Sequence, residues 1–126
     1  MIPVCRSEFL QDVTIALGRR SLKSLRHRNA ALHFAVSEEE VNGEPHERLD
    51  IEVRTRSGAS TNITIWQDGV TWVHSRLREG LPTRTAFETH ANLAGMDYAE
   101  VASLIRATLC DLESVQHIWK EHAIPS

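Results

Sequence analysis

Carboxylates and histidines repeat at helical spacing near the end of the chain, where they could bind a metal ion. Glu113, His117 and Glu121 follow one another at intervals of four residues, and His122 is adjacent. A zinc ion needs three or four converging ligands, whereas one helix face supplies two comfortably. The sequence has no paired-histidine motif elsewhere. We therefore interpret these residues as a charged, solvated helix face and expect neither a metal site nor another cofactor.

Nucleophilic catalysis has little support in the sequence. Cys110 lies between Leu109 and Asp111 in a stretch with helical periodicity, which is typical of a packed thiol. Cys5 is the other cysteine, and neither belongs to a CxxC pattern, so we expect two reduced thiols. The sequence contains no GxSxG, P-loop, GxGxxG or HExxH motif. We expect a protein that is not an enzyme, and an enzyme or metal protein without a recognisable motif is a third alternative.

Two segments of opposite charge follow each other in the first half of the chain. The net charge of the whole sequence is −3. Glu38, Glu39 and Glu40 open the acidic segment 37–47, which we expect to attract a basic partner and speed its docking. The basic segment 19–28 favours contacts with phosphates, which dominate non-specific nucleic-acid binding. Its five basic residues, with no acid among them, are Arg19, Arg20, Lys23, Arg26 and Arg28.

The segment HANLAGMDYAEVASL matches the spacing of a helix-turn-helix motif, with small, turn and core residues at Ala91, Gly95, Val101 and Leu104. The helix that would enter the DNA groove begins with Asp97 and Glu100, which places carboxylates where phosphates would lie. A corner between two helices is the simpler interpretation. A nucleic-acid-binding regulator that uses residues 19–28 or a helix pair over 85–121 is therefore the alternative function.

The elements that must position these residues follow from hydrophobic periodicity. Apolar residues at three- and four-residue spacing predict an amphipathic helix that starts near Ser7. Alternation predicts four strands: over 31–36, over 49–53, around Ile63 and Ile65, and over 70–74. Residues 37–47 are polar and contain glycine and proline, which predicts a long exposed loop.

Two helices are predicted after the strands. Thr85 and Glu88 fit a capping box, which predicts a short helix that ends near Leu93. A longer helix over 98–121 is predicted by one apolar stripe, formed by Val101, Leu104, Ile105, Thr108, Leu112, Val115 and Trp119. Together the elements predict an α+β fold with an N-terminal helix, a four-stranded antiparallel β-meander and two C-terminal helices packed on one sheet face.

The bulk properties of the chain are those of one ordinary globular domain over residues 1–126. The length suits a single core, and 41% hydrophobic and 25% charged residues is an average mixture. No apolar run approaches the roughly 18–20 residues that span a membrane. The first residues lack the layout of a secretory signal, so we expect a cytoplasmic protein without a membrane partner.

Residues 49–74 predict a two-sided ribbon, with apolar side chains on one side and polar ones on the other. A two-residue loop at Asp68 and Gly69 would pair Ile65 with Trp72, which places Trp72 in the core. Trp66 then faces outward near Arg54. The outward residues predicted from this register are Asp50, Glu52, Arg54, Asn62, Thr64, Trp66, Thr71 and Val73.

An outward tryptophan among polar neighbours is typical of an interface anchor. We therefore expect a small protein-binding module that covers a partner protein with a basic surface. Trp66 would be the anchor, Glu38, Glu39 and Glu40 would steer the approach, and Asp50, Glu52, Arg54, Thr64 and Thr71 would surround the anchor. A bacterial immunity or antitoxin-like inhibitor fits this description by type. So does a secretion-type chaperone, a class in which homodimers are usual.

Overall fold

Three helices and five strands make up the part of the chain that the structure describes, residues 3–27, 31–54, 59–77 and 84–125 of a computed structural model. They are α1 (Glu8–His27), β1 (Ala31–Val41), β2 (Glu44–Arg54), β3 (Ser60–Trp66), β4 (Val70–Leu77), β5 (Arg84–Asn92), α2 (Tyr98–Cys110) and α3 (Leu112–Glu121). The predicted α+β class is confirmed, and the described sheet has one strand more than the four predicted.

The strands form one antiparallel meander in the order β1-β2-β3-β4-β5, with the helices on one side. We call that side the inner face. Alternate residues of β2 and β3 point inward, including Leu49, Ile51 and Ile63, and they pack against apolar residues of the helices. The tryptophan of the core is Trp119 of α3, which is 0% exposed. Its indole Nε1–H donates to the hydroxyl of Thr108 at 2.8 Å.

The predicted loop over residues 37–47 is wrong, because most of it is strand. β1 continues to Val41, and Val41 pairs directly with Glu44 of β2. The two residues between them, Asn42 and Gly43, have φ of 52° and 81°. Positive φ at both positions is the geometry of a tight two-residue hairpin loop, and Asn-Gly adopts it readily. The many glutamates of the segment suggested a loop, whereas the Asn42-Gly43 pair is the sequence feature that indicates a hairpin.

The predicted helix over residues 85–93 is also wrong, because Arg84–Asn92 is strand β5 and pairs with β4. The capping-box pattern is a local preference, and pairing with a long neighbouring strand outweighs it. Beyond β5, the backbone N–H of Asn92 donates to the carbonyl of His122 at 3.0 Å, and the N–H of Ile124 donates to the carbonyl of His90 at 2.8 Å. The C-terminal segment therefore covers this end of the β5 edge.

The long helix predicted over 98–121 is two helices that meet at Asp111. Asp111 has φ of −158°, outside the helical region, and it separates α2 from α3. The start of α2 follows the prediction, since the Asp97 side chain accepts the backbone N–H of Glu100 at 2.9 Å. The apolar stripe lies inward in both helices, with Leu112 only partly buried.

The pairing of β3 with β4 differs from the predicted register by one residue. Ile65 pairs with Thr71, and Ile63 pairs with Val73. The loop between the strands holds three residues, 67–69, and Gly69 has positive φ of 92° while Asp68 does not. A three-residue loop that ends on such a residue is the next most common hairpin connection. A shift of one residue turns every side chain of β4 to the opposite face.

The N-terminal segment is fastened to the sheet through a buried carboxylate. Glu47 of β2 is 5% exposed, and its side chain accepts the backbone N–H groups of Arg6 at 2.7 Å and Ser7 at 3.0 Å. The backbone N–H of Gln67 donates to the carbonyl of Glu47 at 3.0 Å, and the side-chain oxygen of Gln67 accepts the backbone N–H of Glu47 at 3.0 Å. The start of α1 is therefore positioned by β2.

Replacement of Glu47 by alanine should lower the free energy of unfolding by about 3 kcal/mol, because two backbone N–H groups lose a charged acceptor in a partly buried place. Urea unfolding followed by circular dichroism measures the change. Glu44→Ala on the same strand, where the side chain is exposed, is the control and should change stability little. Equal losses for the two variants would contradict the fastening role.

Candidate functional site

The side of the sheet away from the helices, which we call the outer face, gathers polar and aromatic side chains from all five described strands. Strand pairing places them in rows that cross the sheet. One row holds His33, Glu52, Asn62, His74 and Glu88, and the next holds Ala35, Asp50, Thr64, Trp72 and His90. None of the described helices packs on this side.

Trp66 lies on the outer face, as the alternation of β3 predicted, and is partly exposed. Its indole Nε1–H donates to the carboxylate of Glu39 on β1 at 3.0 Å. The cross-strand neighbour of Trp66 is Arg48, whereas Arg54 pairs with Ser60 at the other end of β3. The predicted proximity of Trp66 to Arg54 is therefore wrong, because Trp66 lies six residues along β3 from Ser60, the partner of Arg54.

Trp72 also lies on the outer face, so its predicted place in the core is wrong. The one-residue shift between β3 and β4 sets it beside Thr64. Its indole Nε1–H donates to Glu88 at 3.1 Å, and its ring stacks on that of His74 with centroids 5.1 Å apart. The ring of His90 lies further away, at 6.3 Å and tilted. Two tryptophans thus share one face, each held by a carboxylate.

The same shift moves Thr71 from the predicted outer face into the interior. Thr71 is 0% exposed, and its hydroxyl donates to the carbonyl of Gly69 at 3.1 Å. Val73 is likewise in the core. Neither residue can contact a partner at the outer face. The alternation in VTWVH is equally compatible with both registers, and only the loop length distinguishes them.

A groove of about 460 Å³ lies over β1, β2 and β3 on the outer face, with Trp66 and Trp72 in its lining and Thr64 at its floor. Thr64 is 7% exposed, and its hydroxyl donates to Asp50 at 2.7 Å. Arg48 also lines the groove, and its guanidinium Nε contacts Ser37 Oγ at 2.9 Å and Asp50 at 3.3 Å. Side chains at the floor therefore hold one another in place.

The three consecutive glutamates do not form one patch, since they lie in a strand. Glu39 points to the outer face, where it accepts the Trp66 N–H and lies 3.9 Å from Arg48. Glu38 points the other way and forms an ion pair with Arg6 at 2.9 Å. Glu40 shares the side of Glu38 by alternation and is exposed. Only Glu39 of the three is near the tryptophans.

His74 is a polar residue of the outer face that the sequence-based reasoning did not select. It is 6% exposed, with Nε2 3.1 Å from the hydroxyl of Thr85. Its Nδ1 has no hydrogen-bond partner among the described residues. Glu52 on the same row forms an ion pair with Arg54. His74 lies on this face because of the one-residue shift between β3 and β4, and Glu88 lies there because residues 84–92 are strand.

The basic segment of the alternative function lies partly outside the described residues. Positions 19–27 belong to α1, but the side chains of Arg19, Arg20, Lys23 and Arg26 are outside the described set, and so is Arg28 as a whole. The first helix of the pair predicted over 85–121 does not exist, because Arg84–Asn92 is strand β5. The helix-turn-helix interpretation therefore has no structural basis.

The acidic and histidine residues of α3 point to solvent. Glu113, His117 and Glu121 are all exposed. Across the described ranges, no three His, Cys, Asp or Glu side chains lie close enough together to hold a metal ion. No described helix is long and apolar enough to cross a membrane.

Cys5 is a buried thiol whose environment disfavours ionisation. Its Sγ lies 3.8 Å from the hydroxyl of Thr14. Burial raises the pKa of Cys5, and the charge of Glu47 raises it further, while the Thr14 contact opposes both. Less thiolate is therefore present at neutral pH than in an exposed cysteine.

A Cys110→Ser variant, which keeps Cys5 alone, should react with a disulfide reagent such as DTNB at pH 8 at least about 10-fold more slowly when folded than in urea. The folded rate should rise with pH above 9, since the thiol is neutral below its raised pKa. Absorbance at the wavelength of the released thiolate measures both rates. Equal rates in the folded and unfolded states would contradict a buried Cys5.

Comparison with known protein families, with characterised proteins and with solved structures gives no match to this chain.

Proposed function

We propose that the chain is a non-catalytic protein-binding module whose outer face docks on a partner protein and covers it sterically. The observation that carries the proposal is the pair of partly exposed tryptophans on a sheet face that no described helix covers, each with its indole N–H held by a carboxylate. Rings fixed in this way lose little side-chain entropy when a partner covers them. Tryptophans at the centre of an interface commonly carry much of its binding energy.

The surroundings of the tryptophans fit such an interface. The groove that they line offers a recess for one partner side chain, and the exposed Arg54, ion-paired with Glu52 of the lining, belongs to a polar rim. The sheet beneath them is rigid, because its inner face is packed against three described helices. A bacterial immunity or antitoxin-like inhibitor would use this face to block a toxin, and a secretion-type chaperone would use it to hold a client.

Site-specific photo-cross-linking in the native host tests the proposal. A benzoylphenylalanine at His90, which is exposed on the outer face beside Trp72, should cross-link a defined protein partner. The same probe at Ser103, exposed on α2, is the control for surface collisions and should not capture that partner. The cross-link at position 90 should disappear in a Trp66→Ala, Trp72→Ala background.

Two outcomes contradict the proposal. Cross-linking of the same proteins from positions 90 and 103 would mean that the outer face has no preferred partner. Cross-linking to nucleic acid that weakens steeply with salt would instead support the alternative function.

A further inference from the structure

The groove lined by Trp66 and Trp72 has the chemistry of a cation site. We infer that it receives an arginine side chain of the partner, with the guanidinium against an indole and above Asp50. The inference rests on the proposed function, because it names the group that the partner presents to the outer face. Four properties of the groove lead to it: the indole walls, the charge balance, the shape and the fixed floor.

The walls are two electron-rich rings. Each indole N–H donates to a carboxylate, Trp66 to Glu39 at 3.0 Å and Trp72 to Glu88 at 3.1 Å. An anion at the N–H pushes electron density into the ring and makes its face more negative. Tryptophan is already the aromatic side chain that attracts cations most strongly, so the carboxylates strengthen an existing preference.

The charges around the groove leave an excess of carboxylates. Asp50 and Glu52 line it, and Glu39 and Glu88 hold its walls, which gives four negative charges. Three guanidinium groups lie on the same face, Arg48 in the lining, Arg54 beside Glu52, and Arg76 in the row of Arg54, so the balance is −1 with histidines neutral. Within the described part of the chain, Glu88 forms no ion pair. A ligand with one positive charge reduces this excess.

The shape and the floor favour a guanidinium. A volume of about 460 Å³ accommodates one long side chain with room for water. A guanidinium is planar and weakly hydrated, so it can lie against an indole while its edge donates to a carboxylate. The Asp50 carboxylate is already held in place, because it accepts the Thr64 hydroxyl at 2.7 Å and lies 3.3 Å from Arg48 Nε.

Short peptides test the inference on the intact protein. The probes are acetyl-Gly-Arg-Gly-amide and the same peptide with citrulline, which keeps the shape of arginine and lacks its charge. Calorimetry measures binding, and tryptophan fluorescence in a Trp119→Phe background reports on Trp66 and Trp72. We expect the arginine peptide to bind at least about 10-fold more tightly than the citrulline peptide, the size of one charge-assisted contact with aromatic stacking.

Variants locate the site. Asp50→Asn and Glu88→Gln should each weaken the arginine peptide several-fold and leave the citrulline peptide unchanged. Glu113→Gln removes the same charge from exposed α3 and should have no effect. These substitutions are nearly isosteric, so we expect each variant to fold. A circular dichroism spectrum identical to that of the unsubstituted protein verifies this.

Equal binding of the arginine and citrulline peptides, or no binding of either, overturns the inference. A lysine peptide that binds as tightly as the arginine peptide overturns the choice of guanidinium. If the cross-link at position 90 depends on both tryptophans while the two peptides bind equally, the proposed function stands and the arginine assignment fails. If that cross-link is absent, the proposed function fails whatever the peptides do.

Discussion

Replacement of Gly69 by alanine should lower the free energy of unfolding by about 3 kcal/mol or more, through backbone strain together with steric overlap. Gly69 has φ of 92°, which a residue with a Cβ atom rarely adopts. A Cβ built there would lie 2.7 Å from the backbone N and 2.8 Å from the Cα of Ala94. The neighbouring chain cannot retreat easily, because the N–H of Leu93 donates to the carbonyl of Gly69 at 2.9 Å.

Two further glycines separate the strain from the overlap. Gly43 has φ of 81°, but a Cβ built there meets no heavy atom within 4 Å, so Gly43→Ala should cost about 1 kcal/mol, from strain alone. Gly95 has neither a positive φ nor a close neighbour, and Gly95→Ala should be nearly neutral. Thermal and urea unfolding of the three variants gives the comparison. Equal losses of unfolding free energy at positions 69 and 43 would mean that the backbone of residues 93–94 does not crowd position 69.

The three tryptophans should differ sharply in their contribution to stability. Trp119→Ala should cost about 3–5 kcal/mol, because it leaves a cavity in the core and removes the hydrogen bond to Thr108. Trp66→Ala and Trp72→Ala should each cost about 1 kcal/mol, since both side chains are only partly buried. Urea unfolding followed by circular dichroism measures all three.

Trp119→Phe keeps an aromatic ring and removes only the N–H donor and part of the volume, so its loss should fall between the two groups. A Trp72→Ala variant as destabilised as Trp119→Ala would contradict the observed register of β3 and β4. That result would instead support the register predicted from the sequence, in which Trp72 fills the core.

The parts of the fold that depend on local sequence could be predicted, and the parts that depend on distant pairing could not. Leu49, Ile51 and Ile63 alternate strictly, so their inward face was predicted although β2 and β3 pair two residues away from the expected register. A shift of two residues preserves the face, whereas the one-residue shift at Gly69 reverses it. β5 carries a helical start signal that its pairing with β4 overrides.

The candidate site shows the same division. Trp66 could be assigned to the outer face from β3 alone, because its alternation with Ile63 and Ile65 is unambiguous. Trp72 and Glu88 could not, since their places depend on a loop length and on a strand that resembles a helix. The groove that the two tryptophans line depends on the pairing of β2 with β3 and of β3 with β4. No single segment of the sequence contains it.

Affinity for the cross-linked partner is the most direct test of the outer face as the docking surface. The measurement is the Kd of the purified partner for the unsubstituted protein, for Trp66→Ala, Trp72→Ala and for Tyr98→Ala, whose side chain is 47% exposed at the start of α2. We predict that the double variant, verified as folded, binds at least about 30-fold more weakly, a loss of roughly 2 kcal/mol, and that Tyr98→Ala binds normally. Unchanged affinity in the folded double variant would contradict the account.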